Sequence, residues 1–204
     1  ELKRFGLILH QPKDGYRFTL DPLLLCDFSG TGSELQIADL GTGSGVMALI
    51  LAKMALQTRV TAFEQDDRAS ALARENVRIN NLEKQITVVH DDILHVRQHL
   101  PVSNCDLVVS NPPYIPSSRL SGLPREVRKE PLSALDGGDD GLCWYREIFR
   151  WAPAKLRSGG RLLFEIGDGE QGEQLTGIAP SSLEFNGIFH DMSCKPRAVS
   201  WLRV

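Results

Sequence analysis

The stretch Ile37-Ala-Asp-Leu-Gly-Thr-Gly-Ser-Gly45 joins a short apolar run to a loop that contains three glycines. Apolar residues then recur at helical spacing, at Val46, Leu49, Ile50 and Met54. Glycines in such a loop permit positive φ angles and let the backbone approach a ligand closely. This order of strand, glycine loop and helix predicts an α/β protein with a ligand site at the loop.

The same alternation continues to the end of the chain. Further strands are predicted at 59–63, 85–89, 107–110 and 161–166, helices at 66–80 and 143–156, a turn at 158–160, and an antiparallel pair at 183–190 and 198–204. Strands that alternate with helices through short connections indicate a parallel sheet covered on both faces. We therefore expect a doubly wound, mostly parallel seven-stranded sheet that ends in a C-terminal antiparallel hairpin.

The first 35 residues are predicted to form an N-terminal arm ahead of a single domain at 36–204. Within the arm, 5–10 is typical of a short strand and 11–15 of a turn. Asp21 is predicted to cap a helix at 23–28, with Pro22 at its first position.

Composition narrows the class of protein. The chain has 204 residues, 42% hydrophobic and 24% charged, with a formal net charge of −3. These values are ordinary for a globular protein and argue against wholesale wrapping of nucleic acid or of an anionic membrane. The four cysteines are far apart in sequence. We therefore expect free thiols, no metal site and a cytoplasmic location. No apolar run approaches membrane-spanning length.

Polar residues stand where four predicted strands end: Asp39, Glu64, Asp92 and Asn111. In a parallel sheet, ligands bind beyond the carboxyl ends of the strands, where the strand order reverses. Any one of these residues alone could be a solvated strand end. Their shared position predicts a site.

The glycine loop excludes two common ligands. It has no Gly-Lys-Ser/Thr, so it is not a phosphate-binding P-loop. Val46 stands where the dinucleotide fingerprint requires glycine or alanine, and Asp39 would repel a pyrophosphate. An acidic residue at this position attracts an ammonium group instead, directly or through water.

The remaining residues complete a predicted binding site for a nucleoside-type cofactor. Glu64, about 20 residues further on, is placed to accept the two hydroxyls of a ribose. Asp92 can accept an adenine amino hydrogen while Ile93 packs on the ring. Together they predict S-adenosylmethionine, bound by Asp39, Gly41, Thr42, Gly43, Gly45, Glu64, Asp92, Ile93 and Asn111.

Asn111-Pro-Pro-Tyr114 ends the apolar run 107–110 and leaves it stiffly, because two consecutive prolines fix φ. The amide of Asn111 and the carbonyl of Pro112 are two acceptors close together, and Tyr114 adds an aromatic ring. This group suits a planar NH2, whose two hydrogens are accepted while the ring covers its π-face. By itself the motif is also compatible with a rigid turn. Beside a methyl donor, Asn111, Pro112 and Tyr114 become the predicted catalytic residues.

The stretch 39–114 resembles class I methyltransferases of the Asn-Pro-Pro-Tyr group, which methylate nitrogen in planar amides or amines. Two further stretches, 127–142 and 159–167, are similar to the HemK family, which methylates a glutamine side-chain amide in peptide release factors. The resemblance implies a Rossmann-like fold and S-adenosylmethionine as methyl donor, with S-adenosylhomocysteine as product. It also places an acidic residue at Asp21, where it would help to order the cofactor tail.

The arm indicates a different substrate. Its stretch 11–25 is more similar to tRNA methyltransferases that modify the exocyclic amine of adenine, and the loop 116–131 carries Arg119, Arg125, Arg128 and Lys129. The HemK family also has a helical substrate-recognition domain, for which the 35 residues before the first core strand leave no room. The favoured hypothesis is a release-factor glutamine methyltransferase, and the alternative is a tRNA adenine methyltransferase. A third is a cofactor-binding subunit that needs a partner.

Overall fold

The computed structural model describes residues 2–11, 21–30, 32, 35–55, 57–101, 103–125 and 127–204. Within these ranges, seven strands form one sheet: β1 Gln36–Leu40, β2 Arg59–Glu64, β3 Ile86–His90, β4 Cys105–Ser110, β5 Leu156–Glu165, β6 Leu183–His190 and β7 Pro196–Arg203. Their order is β3-β2-β1-β4-β5-β7-β6, with β7 antiparallel to both of its neighbours. The predicted α/β fold, mostly parallel with a C-terminal antiparallel pair, is confirmed.

Helices cover both faces of this sheet. They are α1 Asp21–Ser29, α2 Val46–Met54, α3 Asp67–Ile79, α4 Val96–His99, α5 Cys143–Lys155 and α6 Gly169–Ile178. Successive residues of each strand point to opposite faces, so Ala38 packs in the core beneath α5, and Ile37 in the core beneath α1 and α2. A strand buried on both faces is mostly apolar, which explains why the buried runs could be recognised in the sequence.

The chain reverses its winding direction between β1 and β4. From β1 it moves outward through β2 to β3, then returns to place β4 on the other side of β1. The connections that follow β1 and β4 therefore diverge, and a crevice opens at the carboxyl ends of these two strands.

The prediction of a strand at 5–10 is wrong. Lys3–Phe5 is a 3-10 turn closed by an isolated bridge between Leu2 and Leu7. Beyond it, the amide side chain of Asn80 donates to and accepts from the backbone of Ile8, at 2.7 and 2.9 Å. Because the side chain of the residue that caps the C-terminus of α3 satisfies these backbone groups, the segment needs no strand partner. Of the turn predicted at 11–15, only Gln11 lies within the described residues.

Helix α1 differs from its prediction at both ends. Asp21 is its first residue rather than the cap before it, and the helix runs on to Ser29. Leu25 and Cys26 are buried in the same core as α2, so this part of the predicted arm packs as an integral layer of the sheet structure. The division of the chain at residue 35 stays a prediction.

Three further elements depart from the sequence analysis. The turn predicted at 158–160 lies inside β5 as a bulge, since Cys105 pairs with Leu156 but Leu107 pairs with Arg161. Helices α4 and α6 were not predicted. α6 contains several glycines, which are poor helix formers, and it depends on the Asp168 side chain that accepts the Gln171 N–H at 2.9 Å.

Candidate active site

The register of the two central strands places the glycine loop beside the Asn-Pro-Pro-Tyr turn. Leu40 pairs with Ser110, and the Ser110 hydroxyl donates to the Leu40 carbonyl at 2.9 Å. The next residues, Gly41 and Asn111, leave the sheet side by side. A methyl group placed on Gly41 would lie 4.0 Å from the Asn111 carbonyl oxygen.

The glycine loop is held against the end of β2. The N–H groups of Gly41 and Thr42 both donate to the Phe63 carbonyl at 2.9 Å. Gly41, Gly43 and Gly45 all have positive φ, at 71°, 57° and 81°. Residues with a Cβ rarely adopt that conformation, so the three glycines give the loop its shape. Helix α2 begins directly after Gly45.

Glu64, at the end of β2, supports the same loop. Its Oε2 accepts the Gly43 N–H at 2.8 Å and its Oε1 accepts the Asp66 N–H at 2.9 Å. The side chain is nearly buried, with 9% of the residue exposed. A carboxylate has about four acceptor positions, so each oxygen keeps one for a ligand hydroxyl.

Asp39 is a buried carboxyl behind the loop. The Thr42 hydroxyl donates to its Oδ2 at 2.6 Å, while its Oδ1 has no hydrogen-bond partner among the described residues. The pKa of Asp39 is raised to about 7: burial is the main cause and the negative charge of Glu64 adds to it, while the Thr42 hydroxyl and the nearby Ala48 N–H act in the opposite direction. The carboxyl does not reach the surface, so any effect of its charge on a bound ligand would have to act across the loop.

Asp92 and Ile93 follow β3 at the same edge. The Asp92 carboxylate accepts the Leu94 N–H at 2.9 Å and so shapes the turn, and Ile93 is half-buried against the core. The strand ends therefore present Asn111, Asp39, Glu64 and Asp92 in the spatial order β4, β1, β2, β3. The structure brings together all the strand-end residues predicted for the cofactor.

A glycine-rich segment packs against the back of the Asn-Pro-Pro-Tyr turn. The Gly137 N–H donates to the Ile115 carbonyl at 2.9 Å, and a methyl group on Gly137 would lie 2.9 Å from the Pro113 carbonyl oxygen. A methyl group on Gly141, whose φ is 78°, would lie 2.5 Å from the Tyr114 carbonyl oxygen. Gly137 and Gly141 must therefore be glycines, because at these two positions the segment 136–142 touches the backbone of the Asn-Pro-Pro-Tyr turn.

Two residues that the sequence analysis missed hold Tyr114. The Gln171 amide donates to the carbonyls of Tyr114 and Gly141, both at 3.3 Å, and accepts the Gly167 N–H at 2.9 Å. Glu165, at the end of β5, is buried and accepts a hydrogen bond from the Tyr114 hydroxyl. Glu165 stood inside the stretch 159–167 that carries the HemK resemblance, but no signal marked Gln171, because α6 was not predicted.

Asp21, the first residue of α1, is a charged neighbour of Glu165. Its Oδ1 is 3.9 Å from a guanidinium nitrogen of Arg197 on β7, and its charge raises the pKa of Glu165. These neighbours place it near the ends of β5 and β7. Its part in ordering the cofactor tail stays a prediction.

The structure also bears on the cysteines, on metal binding and on helix length. All four cysteines are free thiols. Across the described ranges, no group of three or more His, Cys, Asp or Glu side chains is arranged to hold a metal ion. In the same ranges, no helix has the length and apolar character needed to cross a bilayer.

The sequence of this chain is similar to those of known methyltransferases. Residues 22–121 match the family model of the methyltransferase small domain. A release factor glutamine methyltransferase from Moorella thermoacetica is 44% identical over 143 residues, which cover 70% of this chain and 49% of that protein. One from Geobacter sulfurreducens is 41% identical over 143 residues, covering 70% and 48%. The chain thus spans about half the length of the curated relatives that it matches.

Solved structures show the same fold. The hMettl16 catalytic domain, in complex with the MAT2A 3′UTR hairpin 1, superimposes with a TM-score of 0.75 at 19% identity, over 97% of this chain and 75% of that one. At this identity the likeness bears on the fold alone.

Proposed function

We propose, since this chain is a HemK-like class I methyltransferase domain, that it transfers a methyl group from S-adenosylmethionine to a glutamine side-chain amide in a protein of the peptide release factor class. One observation carries the proposal: the register of β1 and β4 sets the two acceptors of Asn111 and Pro112 directly beside the glycine loop. A donor on the loop and a nitrogen at the turn would then be neighbours.

The loop and strand ends fit the cofactor. Glu64 keeps acceptor positions for the two ribose hydroxyls, and the half-buried Ile93 offers an apolar surface for adenine. The unpartnered Oδ1 of Asp39 is a buried negative potential beside the loop, which favours a cationic amino-acid tail. When bound, S-adenosylmethionine supplies an electrophilic methyl group on a positively charged sulfur.

The turn supplies the other half of the reaction. In the described part of the chain, neither the Asn111 side chain nor the Pro112 carbonyl makes a hydrogen bond, so both are available to the two hydrogens of an amide NH2. The amide lone pair is delocalised, and positive charge develops on nitrogen as the new bond forms. Two fixed acceptors stabilise that charge.

Alignment contributes as much as charge. Well-oriented reacting pairs gain roughly 7–11 kcal/mol over random encounter. The stiff backbone at Pro112 and Pro113 and the ring of Tyr114 fix the plane of the amide. The methylated nitrogen is acidic and loses a proton to water, so no strong base is required at this site.

A second candidate is methylation of the exocyclic amine of adenine in tRNA. The exposed Arg119, Arg125 and Arg128 follow the Asn-Pro-Pro-Tyr turn closely and would suit a phosphate backbone. The same two acceptors accommodate an arylamine NH2 as readily as an amide. The sequence relatives favour the protein substrate.

One experiment decides between them. The chain is incubated with methyl-labelled S-adenosylmethionine and either a peptide release factor or unmodified tRNA, and the label is located by mass spectrometry. We expect label on a glutamine side chain of the protein. A release factor in which that glutamine is replaced by alanine is the control and should carry none. Label on tRNA alone would overturn the assignment in favour of the second candidate.

A further inference from the structure

We infer that Glu165 is a positioning residue that fixes the ring of Tyr114 over the methyl-acceptor site, acting through the tyrosine hydroxyl. The inference deepens the proposed function and rests on it for the role of Tyr114. Its basis is the set of contacts that surround the ring.

Tyr114 is restrained at three points. Its ring edge lies against Gly167, where a methyl group would be 3.1 Å from Cε2 and 3.2 Å from Cδ2. Its carbonyl accepts from the Gln171 amide at 3.3 Å, and its hydroxyl donates to Glu165. The first two contacts set the position of the ring and of the following peptide. The hydroxyl contact sets the remaining rotation, on which stacking against a planar NH2 group depends.

The location of Glu165 suits this role. Phe164 pairs with Ser110, so Glu165 lies alongside Asn111 at the adjacent strand end. Only 4% of the residue is exposed, and its Oε2 has no hydrogen-bond partner among the described residues. Packing does not explain a carboxyl group here, because an apolar side chain of similar size would be buried at lower cost.

Charged groups from two neighbouring elements face Glu165. Burial raises the pKa of Glu165 well above its usual range, and Asp21 on α1 raises it further. Arg197 on β7 and the Tyr114 hydroxyl lower it. A nearby tyrosine, Tyr145 on α5, donates to the backbone carbonyl of Glu165 at 2.8 Å, which holds the end of β5 in place. The backbone that carries the carboxyl group is thus held in place, and the carboxyl group orients the ring through the Tyr114 hydroxyl.

The test is a double-mutant cycle on Tyr114→Phe and Glu165→Leu, measured with the full chain, the donor and the methylated acceptor. We expect each single variant to lower kcat/KM for the acceptor by about tenfold, as for one lost hydrogen bond. The double variant should lose no more than the worse single variant, because both changes break the same contact. Glu165→Gln retains an acceptor oxygen and should stay within about threefold of the unmodified chain.

Several results would overturn the inference. Losses that multiply in the double variant mean that Glu165 acts independently of Tyr114. Equal losses in Glu165→Gln and Glu165→Leu mean that burial of the side chain, not its acceptor, matters. Unchanged activity of Tyr114→Phe removes the hydroxyl from the reaction, and this variant decides the matter even if Glu165→Leu does not fold.

A wrong substrate and a wrong role for Glu165 would give different experimental results. The chain has three tyrosines, and 13C labelling of their ring Cζ atoms gives signals that Tyr114→Phe assigns. Glu165→Leu should shift the Tyr114 signal whether or not a release factor is methylated. An unmoved signal contradicts the contact itself. If tRNA carries the label, the proposed protein substrate is wrong, and the double-mutant cycle is then measured with tRNA as the methyl acceptor.

Discussion

The ring of Tyr114 rests directly on Gly167: a Cβ on that glycine would lie 3.1 Å from Cε2 of the ring. The two residues belong to different strand ends, since Tyr114 follows β4 and Gly167 follows β5. A glycine here lets the edge of the ring approach the backbone closely. The aromatic residue of the Asn-Pro-Pro-Tyr turn is therefore oriented by a residue more than fifty positions away in sequence.

Gly167→Ala should displace this ring and lower kcat/KM for the methyl acceptor by about tenfold, while the dissociation constant of the donor stays unchanged. The added methyl must move the ring by a few tenths of an ångström, which is enough to disturb stacking. Gly177→Ala is the control, because a Cβ there meets no atom within 4 Å and alanine favours the helix. Equal activity of the two variants would contradict the role given to the contact.

Asn111→Ala should lower turnover by about two to three powers of ten, as expected for the loss of a group that stabilises developing charge. Donor affinity, measured by calorimetry, should stay nearly intact, because the loop and Glu64 are untouched. Asn104→Ala, at an exposed position before β4, is the matched control and should have no effect. A collapse of donor binding in Asn111→Ala would show instead that Asn111 is structural.

Glu64→Ala should produce the reverse pattern, with donor affinity reduced by about ten- to a hundredfold. The variant removes the predicted ribose acceptors and also the group that holds the N–H of Gly43 at 2.8 Å and of Asp66 at 2.9 Å. Calorimetric titration with the donor or with S-adenosylhomocysteine measures the effect. The exposed Glu83 provides the comparison, through Glu83→Ala. Wild-type affinity in Glu64→Ala would remove Glu64 from the cofactor site.

The pKa of Asp39, raised by burial to about 7, makes stability depend on pH. The folded protein binds the Asp39 proton more tightly than the unfolded chain, whose value is about 3.9. The stabilising contribution is therefore complete below about pH 4 and is lost as pH rises through about 7. Asp39→Asn cannot titrate. Urea unfolding between about pH 5 and about pH 8 should show the free energy of unfolding of the unmodified chain falling relative to that of the variant.

The same titration should appear in donor binding. A cationic donor interacts more favourably with the ionised carboxylate, so affinity for S-adenosylmethionine should increase as pH rises through about 7. Asp39→Asn should flatten this dependence. A parallel pH profile in the variant would mean that another group is responsible.

The sequence was sufficient for the sheet and for the edge that carries the site. Strands such as β1 and β4 are buried on both faces, so each contains a short, mostly apolar run. The glycines of the loop mark positive φ angles, and the two prolines of the turn mark the end of a strand. These are local requirements of the backbone, and the identity of a single residue is enough to indicate each of them.

Other predictions failed because they depended on partners. The apolar segment 5–10 resembled a strand, but its backbone groups bond to the side chains of Asn76 on α3 and of Asn80 at the C-terminal cap of α3. Helix α6 has too many glycines to be apparent from periodicity, and packing together with the Asp168 cap determines it.

The residues that end the parallel strands follow from the amino-acid pattern alone, and with them the glycine loop, Glu64, Asp92 and the Asn-Pro-Pro-Tyr turn. That Glu165 and Gln171 hold Tyr114, and that Asp39 is a buried carboxyl behind the loop, depends on the folded arrangement. Strand ends are set by local burial and backbone geometry. A contact between Gln171 and Tyr114, 57 residues apart, exists only once the sheet register and the docking of α6 have brought the two together.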